Sequence, residues 1–135
     1  MQIVIFDGCS GSGKTTLRYK LFYAMDFDVL TIDRFTPSVW VYDYLRGIYR
    51  TRAIQDFEER FNKFDPLFVL CLCNAEDARS RIKDNSLRKV EFDVEDELEA
   101  FEQYFLWVSR YSKKIKLDTS NLSIDECIVK MHEAL

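Results

Sequence analysis

The chain of 135 residues carries one histidine and two prolines and has no excess of basic charge, its formal net charge being −4. That balance argues against a broad nucleic-acid footprint, which needs a basic face, though it is compatible with a local basic groove. No apolar run reaches the roughly 18 residues of a membrane span, and no signal peptide is expected. The four cysteines show no zinc spacing, so neither a disulfide framework nor a metal site built on thiols is expected, and a reducing cytoplasm is the expected location. Cys71 and Cys73 stand two apart in an apolar run, which predicts two buried thiols on one face of a strand. The lone His132 falls in the last helical stretch and reads as a surface or core residue. Repeats and low-complexity tracts are absent.

What is present fits a soluble globular protein: 47% hydrophobic and 31% charged residues, in a length that makes residues 1–135 one domain with a core of its own. Aromatic residues make up 15%; most should be core, with some lining a base pocket. Periodicity gives strands alternating with helices. Strands are expected at Gln2 to Phe6, Val29 to Ile32, Leu67 to Leu72 and Ile115 to Leu117. Helices are expected from Lys14 to Met25, from Thr36 to about Lys63 with a break near Gly47, after Asn74, along Leu98, Phe101, Phe105 and Val108, and after a capping box of Ser123 and Glu126. Thr36 reads as an N-cap with Pro37 in the first turn. Asp84 to Asp93 lacks a period and reads as a mobile flap. Such alternation implies an α/β fold, a P-loop three-layer sandwich with a minimal parallel sheet of about four strands. The strand ends that carry Asp7 and Asp33 then share one edge.

The first strand runs into Gly8-Cys9-Ser10-Gly11-Ser12-Gly13-Lys14-Thr15, followed by Thr16 and an apolar helical pattern. This is G-x-x-x-x-G-K-T. Glycines let successive backbone N–H groups converge on phosphate oxygens, and the helix N-terminus adds its positive end. Lys14 can reach the β- and γ-phosphates, and the Thr15 hydroxyl can ligate Mg²⁺. Gly8, Ser10, Gly11, Ser12, Gly13, Lys14, Thr15 and Thr16 are therefore the candidate ATP-binding residues, with ATP and Mg²⁺ as cofactors. At the end of the second strand, Asp33 can accept a hydroxyl proton or hold Mg²⁺ through water, and the Arg34 guanidinium can fork onto a phosphate.

Asp33-Arg34-Phe35-Thr36-Pro37-Ser38-Val39-Trp40-Val41-Tyr42 matches the pattern D-R-[YH]-x-x-S-x-x-x-Y. In this the chain resembles the thymidylate kinase and deoxynucleoside kinase group. Asp65-Pro66 before an apolar strand, then Asn74 to Ala78 and Arg81-Ile82, continue the likeness. The resemblance implies ATP-dependent phosphoryl transfer to a nucleoside monophosphate or deoxynucleoside. Asp33 would be catalytic or metal-linked, Arg34 would bind the acceptor-side phosphate, and Arg81 and Arg88 would close over the transferring group. The chain departs from the full-size pattern in having only Asp26-Phe27-Asp28 between its first helix and second strand. The acceptor pocket is then expected from Ser38, Trp40, Tyr42 and Arg46, with Tyr44 and Arg50 nearby. Asp7 and Asp33 both stand as carboxylate candidates. Two other readings stay open: a polynucleotide 5′-hydroxyl kinase, and a nucleotide-dependent switch with weak ATPase activity. A homodimer is compatible with all three.

Overall fold

The computed structural model describes residues 1–83 and 91–135. The chain alternates as expected: β1 (Gln2–Gly8), α1 (Lys14–Ala24), β2 (Val29–Asp33), α2 (Thr36–Leu45), α3 (Thr51–Phe61), β3 (Leu67–Leu72), α4 (Ala75–Lys83), α5 (Val94–Gln103), β4 (Lys113–Asp118) and α6 (Ile124–Ala134). A single 3-10 turn, Asn62–Phe64, closes α3, and a π-helical turn, Tyr104–Val108, extends α5. The strands form one four-stranded sheet in the order β2-β1-β3-β4, every pair parallel. Among the described residues no helix is long and apolar enough to cross a membrane.

Strand alternation decides which side chains meet which helices. Val4, Phe6, Val69 and Cys71 face one side and pack with Leu17 and Leu21 of α1 and Cys127 and Met131 of α6. Ile5, Phe68 and Leu70 face the other and pack with Val41, Phe101 and Tyr104. Burial on both faces is why β3 reads as an unbroken apolar run rather than an alternating one. The register sets Phe6 opposite Asp33 and Gly8 opposite Cys71, so β1, β2 and β3 end together and the glycine loop leaves the sheet at that edge.

Two expectations need correction. Cys71 and Cys73 are both buried but do not share a face, because β3 stops at Leu72 and the turn sends Cys73 into the opposite core from Cys71. Thr36 is the first residue of α2 rather than its cap. The cap position is Phe35, which has no side-chain acceptor, and the Thr36 hydroxyl is spent elsewhere. The break near Gly47, the Asn74 cap on Asp77 N–H (2.8 Å) and the reciprocal Ser123–Glu126 box stand as expected. The expected flap over Asp84 to Asp93 falls largely outside the described residues.

Thr36 Oγ1 donates to Glu58, a fully buried glutamate on α3 (2.6 Å), and shares a 2.6 Å contact with the Tyr111 hydroxyl. Tyr104 Oη and the Arg110 backbone N–H also donate to Glu58. One carboxylate thus ties α2, α3, the π turn and the approach to β4. Replacing Glu58 with glutamine keeps one acceptor oxygen but sets an NH₂ against the Arg110 N–H. We expect Glu58→Gln to lower unfolding free energy by about 1–3 kcal/mol in urea titrations. Burial raises the Glu58 pKa above its usual 4.5, with the three hydrogen bonds opposing. The folded chain therefore holds that proton more tightly than the unfolded one. The stability this carries is complete below pH 4.5 and is lost as pH rises through the folded value. The margin of the wild type over Glu58→Gln should be largest in acid.

Candidate active site

The loop after β1 turns back so tightly that its glycines are sterically required. A Cβ on Gly8 would lie 2.2 Å from the Cys71 carbonyl oxygen, and one on Gly11 2.7 Å from that of Ala78. The Lys14 side chain is buried at the start of α1, and its ammonium donates to the carbonyls of Gly8 (3.2 Å) and Cys9 (3.1 Å). Burial pulls its pKa down, and the Arg34 charge adds to this. Thr15 and Thr16 are exposed on the first turn. The Ser12 Oγ is buried and has no hydrogen-bond partner among the described residues.

Asp7, at the end of β1, is wholly buried. Its carboxylate accepts from the backbone N–H of Gly8 (2.8 Å), Phe35 (3.1 Å) and Ser38 (2.9 Å) and from Ser38 Oγ (2.6 Å). It supplies the acceptor that Phe35 lacks and so caps α2 from a neighbouring strand. Burial raises its pKa, and the bonds from Ser38, Phe35 and Gly8 hold it down.

Arg34 follows β2 in the left-handed region, at φ 60°. That conformation is strained for a long side chain and turns the guanidinium back over the loop. Its Nη1 donates to Ser38 Oγ (3.0 Å), Gly8 O (3.3 Å) and the Tyr42 hydroxyl (3.3 Å) and lies 3.7 Å from Asp7 Oδ1. The Tyr42 hydroxyl in turn donates to Glu97 on α5 (2.5 Å). Burial pushes the Tyr42 phenol pKa up, and the bond to Glu97 pushes it further. Asp33 faces outward, 3.4 Å from Arg18 of α1, whose Nε and Nη2 also donate to Thr31 Oγ1 (3.3 Å each).

A cavity of about 270 Å³ opens where these elements meet. Its lining joins Gly11, Ser12, Gly13, Lys14, Thr15 and Thr16 to Asp33, Arg34 and Arg81. Arg81 reaches it from α4 by donating to Gly11 O (2.8 Å) and Thr119 Oγ1 (3.2 Å). Thr119, just past β4, donates to Ser12 O (2.8 Å) and braces the loop from behind. A second cavity of about 320 Å³ adjoins the first through Gly13, Thr16 and Arg81, and Leu17, Leu122, Ile124 and Cys127 make it mainly apolar.

The expected acceptor residues divide. Ser38 and Tyr42 sit beside Arg34. Trp40 does not reach the site: it is buried in the core, stacked on Tyr44 at 4.8 Å, with its indole N–H on Thr51 (2.9 Å). The helical spacing that puts Tyr42 toward Arg34 turns position 40 away from it. Arg46 is held at the surface by Glu91 (2.5 Å) and does not line the phosphate cavity. Ser10 is half-buried in the loop and does not line it either. Arg88 lies outside the described residues. Arg18, Glu97 and Thr119 went unnoticed in the sequence. For Thr119 a signal existed, since it follows a strand at the ligand edge; for Glu97, among the acidic residues of α5, there was none.

No protein-family model matches the chain, and no curated protein matches it in sequence. Solved structures do match. Deoxyadenosine kinase from M. mycoides, solved with dCMP and a flexible dCDP, superposes with a TM-score of 0.63 at 14% identity, over 98% of this chain and 97% of that one. The same enzyme with bound dATP gives 0.63 at 15% identity, over 98% of each. The fold is similar to that of this deoxyadenosine kinase. The YorR protein of Bacillus subtilis, in complex with phosphorylated GDP, gives 0.64 at 19% identity, over 98% of this chain and 94% of that one.

Asp7 holds three backbone N–H groups and a hydroxyl that asparagine could accept from at only one of its two atoms. Asp7→Asn is expected to cost on the order of 3 kcal/mol of folding stability. Denaturant titration checks this, and a change under about 0.5 kcal/mol would mean that water replaces the carboxylate as the cap.

Proposed function

We propose that the chain transfers the γ-phosphoryl group of ATP to a nucleoside or nucleoside monophosphate. The observation that carries this reading is the single cavity in which a glycine loop, Lys14, Asp33, Arg34 and Arg81 converge. A carboxylate with three cations around a backbone N–H cradle suits a reaction whose charge develops on phosphoryl oxygens.

The residues present fit the triphosphate and its metal. Ser12 Oγ is a buried hydroxyl for which a phosphate oxygen is a fitting partner. The adjoining apolar cavity beside Arg81 suits a purine face. Among the described residues no cluster of three His, Cys, Asp or Glu groups could hold a metal ion. Mg²⁺ needs no such cluster, because it keeps several waters and takes one or two protein ligands plus phosphates; Thr15 and Asp33 would hold it. When bound, the ion would neutralise charge on the phosphate oxygens.

In this reading Lys14 leaves the Gly8 and Cys9 carbonyls for phosphate oxygens. Arg34, anchored through Nη1, presents its remaining edge to an anion on the acceptor side. Asp33 accepts the acceptor hydroxyl proton, and Arg18 holds the carboxylate in place. Arg81 bridges the loop and the donor slot, where it can follow charge onto the leaving group. The Tyr42–Glu97 pair forms the wall toward the acceptor.

A transfer screen with labelled ATP, across nucleosides, nucleoside monophosphates and 5′-hydroxyl oligonucleotides, tests the proposal. Label should pass to a nucleoside or its monophosphate. Slow hydrolysis that no acceptor accelerates would reject the kinase reading in favour of a switch, and label on the oligonucleotide would redirect it to polynucleotide ends. Lys14→Ala should lower turnover by about 10²-fold or more while the unfolding midpoint holds. Arg34→Lys should also be severely impaired, since an ammonium cannot bridge Gly8, Ser38 and Tyr42 and still reach a phosphate. Wild-type turnover in either variant would remove that residue from the mechanism.

A further inference from the structure

One hydroxyl sits where the phosphate loop, α4 and the end of β4 meet. Thr119 follows β4, and its backbone N–H donates to the Leu72 carbonyl (2.8 Å). Its Oγ1 lies 2.8 Å from the Ser12 carbonyl oxygen and 3.1 Å from that of Leu72. A hydroxyl has one proton to give. Leu72 already accepts from the Thr119 N–H, so the shorter contact, to Ser12, is where that proton does most. The same oxygen accepts from Arg81 Nη1 (3.2 Å), which also donates to the Gly11 carbonyl (2.8 Å). These groups close a ring, from Thr119 to Ser12, along the loop to Gly11, across to Arg81 and back. The Thr119 methyl, Cγ2, lies 3.5 Å from where a Cβ on Gly13 would stand. Both branches of the side chain therefore touch the loop.

The next residue grips the helix that carries Arg81. Ser120 Oγ accepts from the Asn74 N–H (2.8 Å) and donates to Asp77 (2.7 Å) in the first turn of α4. Asp77 stands four residues before Arg81, on the same side of that helix. Asp118 fixes the turn itself, accepting from the Ser120 N–H (2.9 Å) and from Asn121 Nδ2 (2.6 Å). Two consecutive side chains thus hold the loop, the start of α4 and its arginine in one arrangement.

We propose that Thr119 is a positioning residue for phosphoryl transfer, its hydroxyl registering Arg81 against the glycine loop before nucleotide arrives. The inference rests on the kinase reading above and extends it to a residue that acts only through Arg81. Nη1 of that arginine is shared by Gly11 and Thr119, whereas Nε and Nη2 carry no hydrogen bond among the described residues. The side chain lines both the phosphate cavity and the adjoining apolar one. A planar guanidinium held at one nitrogen presents its other edge in a set direction, and rotamer freedom is surrendered before the reaction rather than during it. Donors placed in advance need no reorganisation as charge develops on phosphoryl oxygens. Thr119 should therefore act on turnover more than on ATP binding.

The test separates the two branches of the side chain. Thr119→Val keeps the methyl against Gly13 and removes the hydroxyl; Thr119→Ser does the reverse. In the labelled-ATP assay, Thr119→Val should lower kcat by about tenfold or more with KM for ATP within about threefold, and Thr119→Ser should recover kcat to within about threefold of wild type. Thr119→Ala takes the place of valine if valine unfolds the chain. In an Arg81→Ala background, Thr119→Val should lower kcat by no more than about a further twofold, because the residue it acts through is gone. Hydrogen exchange without nucleotide supplies a reading besides activity: amides from Gly11 to Lys14 should exchange faster in Thr119→Val and at the wild-type rate in Thr119→Ser. Equal losses of kcat in valine and serine variants would overturn the role of the hydroxyl, and equal factors with and without Arg81 would overturn action through it. Wild-type turnover and wild-type exchange in Thr119→Val would overturn both. If the wild type passes label to no acceptor, the kinase reading fails, and the exchange rates alone decide whether Thr119 orders the loop.

Discussion

The site depends on a buried carboxylate that does no chemistry in the proposed reaction. Asp7 stands at the last full turn-out of β1, excluded from water, and satisfies the first loop N–H, two N–H groups at the start of α2 and the Ser38 hydroxyl. Each donor would otherwise be buried without a partner, at a cost comparable to the bond itself. Because one group serves them all, the origin of the phosphate loop and the origin of α2 cannot move independently. Arg34 sits in the short connection between them, and its left-handed backbone is the geometry that lets β2 end and α2 begin within two residues. The strain at Arg34 is therefore balanced by the cap at Asp7. A carboxylate so enclosed does not line the cavity and cannot meet an acceptor hydroxyl, which leaves the exposed Asp33 for that role in the proposed mechanism.

A second buried carboxylate, Glu58, does for the far side of α2 what Asp7 does for its start. It receives the Thr36 hydroxyl, and through Tyr104 and Arg110 it reaches the π turn and the approach to β4. The first residues of α2 are thus gripped from two sides by groups that the chain delivers from β1 and α3. That fixes the direction of Ser38 and Tyr42, the two α2 side chains bonded to Arg34. In the proposed reading these two side chains form the wall toward the acceptor, which is held by polar contacts rather than by apolar packing.

The sheet, its parallel order and most element limits are legible in the sequence because each rests on a local signal: an unbroken apolar run for β3, a reciprocal box for α6, a glycine pattern for the loop. The errors share a different origin. Thr36 looks like a cap because it is a threonine before a proline, but the acceptor that caps α2 comes from residue 7, and no window around residue 36 contains it. Trp40 is a reasonable base-stacking residue by type, yet one helical turn decides that it enters the core beside Tyr104. Cys71 and Cys73 obey strand alternation only while the strand lasts, and it ends between them. Glu97 is one acid among several on α5 until α2 brings Tyr42 against it. Each of these is a tertiary fact, set by elements far apart in the chain.

The shortness of the chain between α1 and β2 has a structural consequence that bears on selectivity. Asp26 and Phe27 both take left-handed backbone conformations to complete the turn, and β2 is left as an edge strand of the sheet. Among the described residues no strand therefore stands beyond β2 to enclose an acceptor from that side. In the proposed reading, with Trp40 in the core and Arg46 engaged by Glu91, contact with an acceptor falls, among the described residues, to Arg34, Tyr42 and Glu97. Arg34 Nε and Nη2 carry no hydrogen bond among the described residues, whereas Nη1 is shared by three acceptors. An anion docking on that free edge is recognised by charge and planar geometry, and a sugar hydroxyl by the Tyr42–Glu97 pair, while little in this arrangement reads a base. In the proposed reading, discrimination among acceptors therefore lies chiefly in the phosphate and sugar, and tolerance of different bases follows from the open edge of β2.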